Sequence, residues 1–300
     1  MKRKREEPGD YLCSGEPGHG HGLGAFIRSL LAGIPWSERA ERVDTHSYKA
    51  PRGGVVRVHN ANGKTLVVGE DRDDVLVRSC KRARAESSHA AAELLDAIRI
   101  VDTESAGALE LEVETPRKWN RHGSANLEVR LPRSLRVEVV ASNGKVSIDG
   151  IRAAVRARSS NGSVSVVHVL GDIEVHTSNA KVECCDTCGR LIARSSNGKI
   201  ELEEHRGSID ASTSNGLIQA RVDEVGPEGI LLATSNGRIV LQLPDKTDAD
   251  VDLHVDNGVI RNDRNLARAT RETNGRVRGT LGRGGIPIKL RTSNGSICLR

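Results

Sequence analysis

The chain has 300 residues, 28% charged and 37% apolar, with a formal net charge of +5 at pH 7. Those proportions suit one or two globular domains. Aromatic residues make up only 2%, which together with the modest charge argues against a nucleic-acid platform built on basic surface and stacking rings.

The N-terminus opens on Lys2-Arg-Lys-Arg5 without an apolar core behind it, so it does not read as a secretory signal. Nor does any apolar run reach the roughly 18 residues a transmembrane helix needs. Residues 1–22 read as disordered. Leu23, Phe26, Ile27, Leu30 and Leu31 then have helical spacing and stop before Pro35. Such a helix either packs onto a neighbouring unit or lies on a membrane surface. The whole of 1–51 is therefore expected to be a tail plus a short amphipathic helix. Six cysteines that include the adjacent pair Cys184-Cys185 do not resemble a disulfide framework, and reduced thiols in a cytoplasmic protein are expected.

Residues 52–140 are expected to form an N-terminal α+β cap. They hold one Asn-Gly corner at Asn62-Gly63, preceded by Val56 and Val58. Val75 and Val77 suggest a strand, Glu86 to Ile98 reads as a helix rich in Ala and Leu, and strands follow at Leu109–Val113 and Leu127–Leu131. A unit of different design at the end of a repeat array covers an otherwise open edge.

From residue 141 to residue 300 one phrase recurs: a small polar residue, Asn, usually Gly, then alternating apolar positions. Its asparagines are Asn143, Asn161, Asn179, Asn197, Asn215, Asn236, Asn257, Asn274 and Asn294, spaced by 18 residues four times and then by 21, 21, 17 and 20. A period near 20 is the mark of a solenoid, whose repeats bury their apolar faces only against one another. Within a repeat such as Ile173, Val175, Thr177 and Asn179 the apolar residues fall two apart, the period of a half-buried strand. The expected fold is therefore all-β, a parallel β-helix of about 18–21-residue coils with like residues stacked at roughly 4.8 Å. The asparagines are expected to form an inward, purely structural ladder, each amide bonded to the next coil. Asn62 is expected to lie outside that stack.

The segments "NANGKTLVVGEDRDDV", "KRARAESS", "AAELLDAIRI" and "NRHGS", followed by repeated "SNGxVxV", resemble the bacterial putative-adhesin family of β-solenoids, a domain of unknown function. The likeness spans about 52–300. It implies a β-helix, no catalytic residues to carry over, and adhesion as the inferred role. Members commonly have a membrane or secretion element, which is not evident here.

Two constellations invite a chemical reading. Cys185 and Cys188 have C-x-x-C spacing, and coil stacking brings His168 and His205 near their segment, so thiolate and imidazole ligands for Zn²⁺ are conceivable. Cys184 falls at an inward position and a second C-x-x-C is missing, so neither metal nor cofactor is expected. Glu183 and Glu201 occupy equivalent positions one coil apart, as a glycosidase pair would. Lys181 and Lys199 beside them favour a self-neutralising charge ladder instead.

Charge is uneven along the stack. Residues 196–255 carry 5 basic and 11 acidic side chains (5 − 11 = −6), whereas 256–300 carry 10 and 3 (10 − 3 = +7). The final strand, Ser296 to Arg300, is expected to close the stack as an open parallel edge and to mediate weak homo-oligomerisation. The functional expectation is a non-catalytic scaffold or adhesion-like module with an unknown protein or surface partner. A polysaccharide-active β-helix enzyme and a polyanion-binding module are the alternatives.

Overall fold

The computed structural model describes residues 38–300 apart from 53, 106, 117–121, 273 and 274. The proposed helix over 23–31, the tail and Asn274 lie outside the described residues. Glu38–Lys49, within the range assigned to tail and helix, is instead a strand, β1, paired antiparallel along its whole length with β4 (Asp74–Ala85).

The stack is a parallel solenoid in which each coil crosses two strand faces joined by the Asn-Gly corner. Before the corner run β2 (Val55–Asn62), β8 (Arg136–Asn143), β10 (Val155–Ser159) and β12 (Ile173–Thr177). After it run β3 (Thr65–Glu70), β9 (Val146–Asp149) and β11 (Val164–Leu170). Both faces continue through β13 (Val182–Ser195), β14 (Ile200–Asn215) and β15 (Ile218–Gln242), which are long enough to turn the back corner without a break. Register holds at one period: Val155, Ile173, Leu191, Ile209 and Ile230 pair in sequence. This column and its neighbours Ala157, Val175, Ala193, Ala211 and Leu232 are almost fully buried. The core is filled by stacked aliphatic rows, in keeping with the aromatic shortage.

At each end the coils depart from chain order. β2 and β3 lie inside the stack, between β8 and β9 on one side and β6 (Ala108–Glu114) and β7 (Gly123–Pro132) on the other. Beyond these, β5 (Arg99–Ser105) and β4 add antiparallel strands. Helix α1 (Ser88–Ala97) packs Leu94 and Leu95 against Ala83 of β4, and its N-cap Ser87 accepts a bond from the Ala90 amide. At the other end the last strand, β19 (Ile286–Leu299), inserts between β15 and β16 (Ala249–Asn262), parallel to both. β18 (Arg276–Leu281) and β17 (Ala267–Glu272) then extend the sheet antiparallel from β16.

This overturns one expectation. Ser296–Leu299 is paired on both sides, so the open edge expected to mediate homo-oligomerisation there does not exist. The sequential repeat implies stacking in chain order, and nothing in the local pattern signals the insertion.

Candidate functional site

The asparagine ladder exists, but it faces outward. Asn143 donates its Nδ2 to Asn62 Oδ1 at 3.0 Å, and Asn161, Asn179, Asn197, Asn215 and Asn236 each donate in turn to the preceding coil at 2.9–3.0 Å. Asn294 then bonds Asn236, and Asn257 bonds Asn294, following the inserted strand. These eight asparagines, from Asn143 to Asn294, are solvent-exposed along the row. In β10, β12 and β13 the strand before the corner ends two residues before Asn, so in β12 the alternation that buries Ile173, Val175 and Thr177 no longer governs Asn179. The inward polar row is the hydroxyl two residues earlier: Thr213, Thr234 and Thr292 donate to the carbonyls of Gly198, Gly216 and Gly237. Asn62 is the first rung of the ladder, a correction to its expected place outside the stack.

The glycine after Asn has a second reason beyond corner geometry. Gly162 has no left-handed φ, yet a Cβ there would overlap the carbonyl oxygen of Gly144 in the coil before. Close stacking of backbone on backbone therefore selects glycine. The back corner was not legible in advance. There His168, Asp186 and Glu204, all non-glycine, take φ of 53°, 47° and 55° at equivalent positions. Asp and His are among the side chains that tolerate this region best, but three different residues leave no repeated letter to find.

The structure separates the four metal candidates. His168 pairs with Asp149 at 2.8 Å and approaches Asp186 at 3.9 Å. His205 turns inward in the column Val169, Thr187, His205, Val222, with Nδ1 2.9 Å from Thr187 Oγ1. Cys185 and Cys188 flank the left-handed Asp186, stacked beside Glu203 and Arg206 rather than beside an imidazole. Among the described residues no cluster of three or more His, Cys, Asp or Glu is arranged to hold a metal. Cys184 is fully buried, and burial pushes its thiol up to about 12, far from a thiolate. Burial likewise takes the His205 imidazole down to about 4, with the backbone of Ser208 and Gly189 only partly opposing it.

The glutamates are neutralised as a group. Lys181 Nζ lies 3.2 Å from Glu183 and 2.5 Å from Glu201, while Lys199 reaches Glu201 at 3.0 Å. Hydrogen bonds from Lys181 and then Lys199 hold the Glu201 carboxyl below its usual range. A carboxylate so depressed is a poor general acid. Toward the C-terminal end of the same outer face this pairing stops. Arg238 donates to the Ser296 hydroxyl at 3.1 Å, and Arg300 approaches Asp263 only at 3.6 Å.

Three solved structures show how loosely such chains are related. The chain is similar to a putative adhesin from Bacteroides fragilis, with 12% identity, 86% of this chain and 97% of that one covered, and a TM-score of 0.49. A putative lipid binding protein from Parabacteroides distasonis has 10% identity, the same two coverages and a TM-score of 0.42. A putative adhesin from Parabacteroides merdae has 8% identity, with 88% and 97% covered and a TM-score of 0.40. These likenesses carry no argument about activity. Among proteins of curated function none matches. Among the described residues no helix is long and apolar enough to cross a membrane. The family profile of Toastrack DUF4097 matches residues 74–300, from the first cap strand after β3 to the inserted C-terminal coil, and the chain belongs to that family.

Proposed function

We propose that this protein is a non-catalytic β-solenoid scaffold, an adhesion-like module whose outer faces bind a partner. The observation that carries this reading is the Lys181–Glu183–Lys199–Glu201 ladder: the two carboxylates that coil stacking sets side by side are paired with two ammonium groups. The candidate metal ligands are not gathered: His205 is buried against Thr187, His168 pairs with Asp149, and Cys185 and Cys188 stack beside Glu203 and Arg206. A rod with a rigid, repeating exterior suits recognition, since its side chains are held in register by the coils beneath.

The test is a panel of acidic and neutral polysaccharides incubated with the purified protein. No turnover is expected, and Glu201→Gln is expected to behave as wild type in every assay. Glycan cleavage lost in Glu201→Gln would overturn the scaffold reading in favour of an enzyme.

A further inference from the structure

We infer that the outer edge of β16 beyond its corner, Val259–Asn262, docks an extended partner segment in which acidic and apolar residues alternate. This rests on the scaffold reading and gives its partner a chemistry.

The edge is open on one side. β19 pairs with β16 along both faces, but β18 covers only Ala249–His254. Among the described residues nothing pairs with Val259–Asn262 from the outside. The Asp263 amide donates to the Leu299 carbonyl, which fixes the alternation of the backbone. Residues 259, 261 and 263 therefore turn their peptide groups to β19, and Ile260 and Asn262 turn theirs to the open side. An unpaired strand edge of this kind is a template for another strand.

The core also ends here. Ile239, Ile297 and Ile260 stack in register, and the first two are fully buried while Ile260 is only half-buried. Val259, on the opposite side of the strand, is 56% exposed. An added strand would continue the aliphatic column with an apolar residue beside Ile260.

Charge selects the occupant. Arg261 points outward, is exposed, and has no ion pair among the described residues. It lines a groove of about 370 Å³ with Gln219, Arg238, Val240, Val259 and Arg300, and no acidic side chain lines it. Elsewhere on this face Lys181 and Lys199 meet carboxylates. An acidic residue beside Arg261, following an apolar one beside Ile260, completes both patterns at the spacing of neighbouring strands. A second copy of the chain fits less well. The exposed edge at the other end of this face is β1, where Glu38, Glu41 and Asp44 are interleaved with Arg39, Arg42 and Lys49, a pattern that discourages pairing.

The probe is a fluorescent peptide of alternating valine and glutamate, titrated with the full chain and read by anisotropy. Saturable binding is expected, and the valine–lysine peptide should bind at least about tenfold more weakly. Arg261→Glu should reverse that preference. Ile260→Pro and, separately, Asn262→Pro remove an outward N–H without touching the bonds to β19, and each should abolish binding while thermal melting shows the fold retained. No saturable binding by folded wild-type protein would overturn the inference. So would binding that survives both proline variants, or that disordered polyglutamate matches, since either outcome describes a diffuse polyanion surface. Self-association at this edge that the peptide does not compete with would overturn it in favour of a second copy. None of these outcomes touches the scaffold reading, which falls only to turnover.

Discussion

Asn197 shows what a ladder residue contributes when it faces water. Its Nδ2 bonds Asn179 and its Oδ1 accepts from Asn215. Leu in its place removes both bonds, but the groups left behind can bond water, so the loss is roughly 0.5–1.5 kcal/mol for each bond, without the larger penalty of a buried orphan. Chemical denaturation of Asn197→Leu checks this, and a loss well above that range would mean the row is shielded from solvent. His205 is the opposite case. Its folded value near 4 lies below the ordinary 6.5, so the unfolded chain takes up the proton first. Stability from this residue is complete above about pH 6.5 and is lost as pH falls toward 4, by roughly 3 kcal/mol in all. His205→Val, the residue its column uses at Val169 and Val222, should flatten the unfolding midpoint over that window. An unchanged slope would show that the imidazole reaches solvent. The Cys185, Cys188, His168 and His205 geometry leads to a further expectation of less than one zinc per chain by elemental analysis. One equivalent, lost when Cys185 and Cys188 are both changed to Ser, would contradict it.

At the scale of elements, the strands were legible because period two repeats in register: Ile173, Val175 and Thr177 are buried in β12 as the alternation requires. Cap strands β4, β6 and β7 and helix α1 were also visible in local pattern, whereas β1 and β5 were not. Two features were hidden for physical reasons. The back corner rests on left-handed Asp186 and His168, which share no side chain type. The neighbours of β19 are decided by pairing over a long stretch of chain, and no residue within β19 differs from a repeat stacked in order. Cys298 provides a direct check, because it lies beside Val240 in register. Neighbouring strand residues fall within the Cα range a disulfide spans. Oxidised Val240→Cys protein should therefore form an intrachain bridge between the introduced thiol and Cys298, seen by peptide mapping under non-reducing conditions. Coils stacked in chain order would leave both thiols free. Of the candidate sites, the glutamate–lysine ladder was readable from spacing alone. The Val259–Asn262 edge was not, because its openness depends on where β19 goes.

For the whole molecule, the insertion of β19 has a consequence for the order in which the protein is made. On a ribosome, β15 and β16 emerge before residues 286–300. Their corner asparagines, Asn236 and Asn257, are 21 residues apart, the same interval that separates Asn215 from Asn236, which do stack. A nascent chain can therefore lay β16 directly on β15, with asparagine on asparagine and aliphatic row on aliphatic row. That arrangement must open again to admit the last coil. Where that arrangement forms, completing the stack is an act of strand invasion, in which a single coil is displaced.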